Sequence, residues 1–540
     1  MEGTRDVSVS TSAETLGNSK EATTTVAAVD SAGSTNGLRR DITSRQMFLI
    51  AAGGSIGAGL FVGSGQGLSV GGPGSLVLTF AIIGTMVSFT MAALGEMATS
   101  YPVAGAFYDY SVRFVSPQWG FAMGWNFILN WLIVLPFELT TIVAQVAYWG
   151  NVHPAAIIVP FTVVLAATSI FGGAKVFGEL EHWLGLCKAL AISSFLCFSM
   201  ALTVGGIPSD PRGALGDRYW KDPGAFRNGF QGFMAVFRIA GMAYGGTELL
   251  GLTAAECRRP HRIMPMATKV VFFRLIVFYV GALLMLGFVV PANDPHLASV
   301  GHGAKYSPFV LAANLAGVPG LGHFFNAMIV TALVSMANTS SFASSRALQA
   351  LCDKGMGPKL LGRVRRGVPV NALVLAYALA LLSLLTIAPG GEQLFDWLLS
   401  LSAMSNYFTW ATICYSHIRM HRAMAVQGHD VRELIWRSPF RLWGSWAGIA
   451  ICCFGLAAQV VGALWPIGNL YEATSIFRDV LGILFMFCLF GAYVVYRRWR
   501  CGDQQPLLVP LGAVDLATGF RDKAHAELMD AEVAAETTAT

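Results

Sequence analysis

The sequence predicts an all-α membrane protein of 12 transmembrane helices, two of them interrupted. Three observations predict it. Hydrophobic residues fill 54% of the 540 positions and charged ones only 12%, with a mean hydropathy of +0.56; soluble chains carry about a quarter charged residues. Apolar windows of about 20 residues, the length that crosses the hydrocarbon of a bilayer, recur along the chain. Within the first and sixth of these windows, glycine clusters stand where a helix would otherwise run on.

Residues 1–37 are rich in Ser, Thr, Ala, Glu and Asp and hold no apolar run, so they read as a disordered tail, neither a signal peptide nor a packed domain. The first window is then expected to act as an uncleaved signal. The windows fall near 46–70, 75–98, 119–149, 155–172, 183–204, 228–256, 270–290, 308–345, 369–388, 393–417, 443–464 and 475–497, inside a membrane domain over 38–498. A second tail follows over 499–540. With the N-terminus inside, Arg258, Arg259, Arg262, Arg363, Arg365, Arg366, Arg497, Arg498 and Arg500 lead a long cytoplasmic list. Only Arg212, Arg218, Lys221, Arg227, Lys305 and Arg478 fall outside. Retention of Lys and Arg on the inner side therefore places both termini in the cytoplasm. Asn338-Thr339-Ser340, the one N-x-S/T site, lies in the eighth window and is expected to carry no glycan.

The first window holds AAGGSIGAGLFVGSG, Ala51 to Gly65, with glycine at 53, 54, 57, 59, 63 and 65. Each glycine costs a helix roughly 1 kcal/mol relative to alanine, so the cluster marks a break. The sixth window repeats the feature in MAYGGTELLGLTAAE, Met242 to Glu256. If the first ten windows form two five-helix halves, these are corresponding positions, and paired interruptions mark the binding site of transporters built from inverted repeats. An unwound turn frees backbone N–H and C=O groups that lipid cannot satisfy, whereas a zwitterion can satisfy both. The N–H groups of Gly57, Ala58 and Gly59 open the following half-helix at its positive end and are expected to hold a carboxylate, with Ser55 and Ile56 beside them. Carbonyls around Ser55 and along Met242, Ala243, Tyr244 and Gly245 are expected to accept an ammonium group. The plainer alternative is that Gly53-x-x-x-Gly57 and Gly59-x-x-x-Gly63 only let helices pack closely. The matched second break, with a carboxylate in it, favours binding.

Charges at membrane depth cost at least about 2.5 kcal/mol on insertion scales, so each needs a reason. Glu248, in the second break, reads as a proton carrier or as a carboxylate accepting freed N–H groups. Lys188, in HWLGLCKALAI, reads as a coupling residue or as a lysine snorkelling from near the start of its helix. Glu138, which follows Pro136 in LPFELT, either caps disturbed backbone or relays protons. Glu96, nearer the inner face, is expected to pair with a basic loop residue in a gate. Arg238 precedes Met242 by one turn. It reads as a selectivity residue for acidic substrates or as a vestibule residue paired with a carboxylate. Ser402, Ser405, Asn406 and Phe408 are candidates for a side-chain pocket, although hydroxyls in spans often bond their own backbone.

Other classes are disfavoured. The cysteines lie in or near apolar segments without a C-x-x-C pair, against a disulfide framework or zinc site. No G-x-x-x-x-G-K-[ST] loop supports a nucleotide-driven pump. No histidine pair at metal spacing and no nucleophile–base motif is read from the chain, so no enzyme, metal site or cofactor beyond a coupling proton is expected, nor a nucleic-acid partner.

GGSIGAGLFVGSG, ALGEMATSYPVAGAF, GFAMGWNFILNWLIVLPFELT, YGGTELLGLTAAE, SSFASSRALQAL and FDWLLSLSAMSNYFTWATICYSHIR, in this order, resemble the fungal amino acid permeases. These form the yeast amino acid transporter branch of the amino acid–polyamine–organocation superfamily. The resemblance runs from about Leu38 to Arg498 and continues in LGAVDLATGFRD; that tail and SPFRLWGSW resemble the general, broad-range members. It implies a LeuT-like core of two inverted five-helix repeats with discontinuous helices 1 and 6, plus two further helices. It implies proton symport of amino acids, broad-range or neutral, with alternating access at the plasma membrane. The carboxylate would sit around Ser55 to Gly59 and the amine near Met242 to Gly245. Lys188 matches a lysine of proton-driven relatives that replaces sodium against the first and eighth helices. Two departures stand out: Ala58 replaces a Thr or Ser common in relatives, and Met242 replaces a frequent aromatic gate, with Tyr244 as a substitute. Lys20 would be a ubiquitin acceptor, with ubiquitin-ligase machinery as partner. A permease preferring acidic amino acids and a non-transporting sensor on the same fold remain as alternatives.

Overall fold

The computed structural model describes residues 47–48, 51, 53–103, 105–254, 260–297, 307–387, 391–469, 473–500, 502 and 506–521. The expected N-terminal tail, with Lys20, and the end of the C-terminal tail lie outside them. Among the described residues the chain is helical, and its one bridge pairs Arg365 with Val368. In order come α1 (Gly59–Ser100), α2 (Pro117–Val146), α3 (Pro154–Thr203), α4 (Gly229–Ala243), α5 (Leu249–Ala254) and α6 (His261–Val289). Then follow α7 (Pro308–Leu315), α8 (Pro319–Asp353), α9 (Val370–Ile387), α10 (Gly391–Gln427), α11 (Arg441–Leu464) and α12 (Ala473–Arg500).

By length and composition, 8 of these are long and apolar enough to cross a membrane: α1, α2, α3, α6, α8, α9, α11 and α12. α4 falls short because the chain breaks after Ala243. α10 buries Ser400, Ser402, Ser405, Asn406, Thr409 and Thr412, which lowers its hydropathy.

Two of the long helices bend at glycines that only a residue without Cβ can supply. Gly72 stands at φ 78° and ψ 171° ahead of Pro73, dividing α1 between the first two expected spans. The loop over 225–228 closes on this bend: Gly74 N–H donates to Ala225 O at 2.7 Å, and Arg227 N–H to Gly71 O at 2.9 Å. Gly173, at φ 59° and ψ −154°, divides α3 in the same way. Helix resumes at once after Gly173 and does not wait until residue 183, so Glu181 and His182 sit buried on a helix where the sequence suggests a connection. At the other end of the chain, α10 runs on to Gln427, beyond the expected limit of 417.

α2 packs most extensively on α8, α1 on α4, and α10 on α11 and α2. Their shared interior is tightly closed and holds buried polar side chains among apolar ones, whereas α3 and α12 turn Val163, Val164, Phe171, Phe487 and Val495 outward. An apolar outer face of this kind suits a lipid surround. At the arginine-rich end, residues 506–521 lie along the bundle, with Val509 N–H on Val115 O at 2.9 Å and Arg521 N–H on Ser100 O at 2.9 Å.

A Cβ at Gly72 would lie 2.7 Å from Ala225 O, in a backbone conformation open essentially to glycine alone and costing another residue roughly 1–3 kcal/mol. Gly72→Ala should therefore lower the melting temperature of the purified protein, whereas Gly462→Ala, with nothing within 4 Å, should leave it level or raise it.

Candidate functional site

The chain leaves helix after Gly53, turns through 54–55 and re-enters helix at Ala58. Such a break exposes carbonyls at the end of one half-helix and N–H groups at the start of the next. Both sides are capped by charge of the matching sign. Lys188 Nζ donates to Gly53 O at 3.0 Å, and Arg274 Nη1 to Ala51 O at 2.8 Å. On the far side, Ala58 N–H donates to Glu138 Oε1 at 3.4 Å. Cations thus meet the negative end of one half-helix dipole and a carboxylate the positive end of the other. Lys188, Arg274 and Glu138 are 0%, 1% and 2% exposed, so water contributes little to holding these groups.

The second break spans 244–248, with Gly246 at φ 96°. Glu248 caps it from within: Oε1 accepts Gly246 N–H at 3.2 Å, and Oε2 accepts Trp410 Nε1 at 3.2 Å. Thr247 Oγ1 donates to Tyr244 O at 2.8 Å and accepts from Arg274 Nη2 at 2.9 Å, so one guanidinium serves both breaks. Tyr279 does the same with a hydroxyl, lying 2.9 Å from Ser55 O and 3.2 Å from Ala243 O. The two breaks approach so closely that a Cβ on Gly59 would stand 2.4 Å from Ala243 Cα. Main chain itself thus excludes a side chain at Gly59.

Between the breaks lies a cavity of about 20 Å³, room for about one water. Ser55, Gly57 and Gly59 form one wall, and Met242, Ala243 and Gly245 the opposite one. Asn130, Trp131, Val134 and Glu138 of α2, Met336 of α8, and Ser402 and Asn406 of α10 complete it. The polar side chains form a chain of contacts: Asn130 Nδ2 donates to Asn406 Oδ1 at 3.0 Å, Ser402 Oγ to Asn130 Oδ1, and Asn406 Nδ2 to Gly241 O at 3.2 Å. Glu138 Oε2 and Trp131 Nε1 are buried and make no hydrogen bond among the described residues. The lining thus offers an unpaired acceptor and an unpaired donor.

The model of the family described as amino acid permease matches residues 46–504, a stretch that contains both breaks. The chain belongs to the amino acid permease family. An uncharacterized amino-acid permease of Schizosaccharomyces pombe is 39% identical to it over 502 residues, 92% of this chain and 85% of that protein. Amino-acid permease inda1 of Hypocrea atroviridis is 39% identical over 494 residues, 90% of this chain and 85% of its own. Cationic amino acid transporter 1 of S. pombe is 37% identical over 491 residues, 90% and 82% of the respective chains. In fold the permease is similar to the crystal structure of the Eremococcus coleocola manganese transporter, at a TM-score of 0.53 and 12% identity over 84% of this chain and 93% of that one. Relatives carrying the names of permeases and transporters make this a membrane transport protein and not an enzyme.

Of the residues expected from its sequence, Ser55, Gly57, Gly59, Met242, Ala243, Gly245, Glu138, Ser402 and Asn406 line the cavity and the others do not. Ile56 and Ala58 are buried beside the cavity without lining it, as the Ala58 N–H is turned to Glu138. Tyr244 also points away: its ring stacks on Tyr279 at 4.5 Å and its hydroxyl donates to Phe80 O at 2.9 Å. Of the four candidates for the side-chain pocket, Ser402 and Asn406 line the cavity. Ser405 accepts from Asn126 Nδ2 at 2.8 Å, and Phe408 meets Phe487 of α12. Arg238 departs furthest, reaching across to Asp479 of α12 at 3.3 Å, the vestibule arrangement. Lys188 and Glu248 stand behind the breaks, not in the cavity.

Three important residues escaped the sequence reading. Arg274 is a lone charge in the seventh window, so the test applied to Glu248 would have found it. Tyr279, in the same apolar window, gives no such signal. Glu181 was hidden by its assignment to a connection; on α3 it accepts from Ser335 Oγ at 2.8 Å and Asn338 Nδ2 at 3.3 Å. Asn338 is thereby buried and engaged, in keeping with an unglycosylated site.

Tyr279→Phe strips a hydroxyl from two buried carbonyls, and an unpaired buried acceptor costs about 1–3 kcal/mol. A lower melting temperature in detergent and a slower initial uptake rate are expected, both read on the same preparation. Arg238→Ala should leave the ratio of aspartate to leucine uptake unchanged; a shifted ratio would bring Arg238 back into substrate selection.

Proposed function

We propose that the permease is a secondary active importer of amino acids, taking broad-range or neutral L-amino acids by proton symport across the plasma membrane with both termini in the cytoplasm. The observation that carries this reading is the pair of helix breaks facing each other across one small polar cavity. The substrate carboxylate approaches the half-helix that begins at Ala58, and the ammonium group approaches the carbonyls that end α4.

The Glu138 contact suggests how a proton is tied to substrate. Its carboxylate already sits on the N–H that the substrate carboxylate would use. Two carboxylates at one half-helix end repel unless one carries a proton. Substrate entry and proton uptake by Glu138 then favour each other, while Lys188 and Glu248 hold the breaks in shape.

Twelve crossings follow when α1 and α3 are each divided at their glycine bends, α4 and α5 are counted together, and α7, only 8 residues long, is not counted. A LeuT-like pairing of two five-helix halves fits the corresponding places of the two breaks. Concentration of arginine at one end supports that end as cytoplasmic. The Arg238–Asp479 pair speaks against a preference for acidic amino acids, because the guanidinium is already engaged. A sensor on the same fold would bind without accumulating.

Proteoliposomes with an imposed proton gradient, inside alkaline, should accumulate radiolabelled neutral amino acid and lose it when an uncoupler is added. No accumulation would remove the transport reading; accumulation indifferent to the gradient would remove proton coupling. Glu138→Gln should abolish gradient-driven accumulation while exchange of internal for external substrate persists.

A further inference from the structure

The arginine-rich end of the bundle holds a second group of buried titratable side chains, outside the cavity. Glu96 lies in the last turn of α1, and His417 and His421 lie one turn apart on one face of α10. Here the structure corrects the sequence reading, which found no histidine pair at metal spacing. That reading ended the tenth crossing at residue 417 and left His421 to a loop, whereas α10 continues through both. The expected basic loop partner of Glu96 is replaced for the same reason by two helical histidines. Glu96 Oε1 lies 2.5 Å from His421 Nε2, and Oε2 lies 3.2 Å from His417 Nε2. The three groups each offer one donor atom, all within 4.8 Å of one another.

Outer contacts hold these side chains in place. Ser438 N–H donates to Glu96 Oε2 at 2.6 Å, and Ser445 Oγ lies 2.8 Å from His417 Nδ1. Partners of this kind fix ring orientation and present the other nitrogen to a ligand. His417 Nε2 is that nitrogen: its side chain is 0% exposed, and it makes no hydrogen bond among the described residues while aiming at the carboxylate. If Ser445 accepts the Nδ1 hydrogen, a lone pair faces an acceptor-only carboxylate, an arrangement that a proton or a metal ion between them relieves.

We propose that Glu96, His417 and His421 form a binding site for a divalent transition-metal ion of the zinc type. Two imidazoles and one carboxylate are a ligand set that zinc takes with a fourth position left open. His421, the one partly exposed member at 11%, marks the side of entry. Zinc holds such ligands at about 2.0–2.2 Å, which separates donor atoms by about 3.3 Å in a tetrahedron. The His417 Nε2–Glu96 Oε2 pair already has that spacing, and the His421 Nε2–Glu96 Oε1 pair falls short of it by less than about 1 Å, each ring facing its own oxygen of the carboxylate. The bound ion pins the end of α1 to α10 and, through Ser438 and Ser445, to the start of α11.

The test uses the full chain, purified in detergent through a tag without histidine, stripped with chelator and titrated with zinc chloride in a calorimeter. One zinc per chain and a raised melting temperature are expected. His421→Ala and His421→Gln, which leave both fully buried ligands in place, should each weaken binding by more than the roughly 10–100-fold that loss of an outer-shell partner costs. Cobalt should give the visible bands of a tetrahedral site in the native chain and not in the variants. Equal zinc affinity in native and variant chains, or no zinc bound by the native chain, would overturn the proposal.

Discussion

The structure depends on one constraint: main-chain groups released by a broken helix inside a membrane have no water to turn to. At the first break, Lys188 and Arg274 take the carbonyls and Glu138 takes an N–H. At the second, Glu248 and Thr247 take their own neighbours. Charged side chains that are costly at this depth are retained because the alternative, an unpaired peptide group in a dry interior, is costly as well. The five charged residues buried around the breaks, Glu138, Glu181, Lys188, Glu248 and Arg274, are therefore one system and not five separate anomalies.

That system also couples the breaks to each other. Arg274 and Tyr279 both reach from α6 to the two interrupted helices, so movement at one break is felt at the other through two side chains of a third helix. A cavity with room for about one water must widen before an amino acid enters. Widening separates Gly59 from Ala243, the tightest contact between the walls, and so works against the shared hydroxyl of Tyr279. Binding and conformational change meet at the same few atoms.

Much of this was legible in the sequence, because glycine and buried charge are loud signals in an apolar background. Gly53 to Gly59 and Gly245 to Gly246 mark both breaks, and the sequence alone points to Ser55, Met242, Glu138 and Ser402. What hydropathy could not supply was helix length. Polar residues inside a bundle look like connections, so Glu181 was lost between two spans and His421 fell beyond the end of one. Direction was equally hidden: Tyr244, Ser405, Phe408 and Arg238 sit on the expected helices, yet their side chains are claimed by Phe80, Asn126, Phe487 and Asp479. A spacing rule fixes a helical face but not which neighbour a long side chain prefers.

The segment over 506–521 joins parts that are far apart in the chain. It is fastened to Ser100, Tyr101 and Val115 at the turn between α1 and α2, and to Gln427 at the end of α10. Its own Val514 and Leu516 are buried, so it rests there by apolar contact as well as by hydrogen bonds. Those two anchorages cannot draw apart without peeling the strip from one of them. The strip is thus a strap across the arginine-rich end of the bundle, and parting of the helices there has first to undo it.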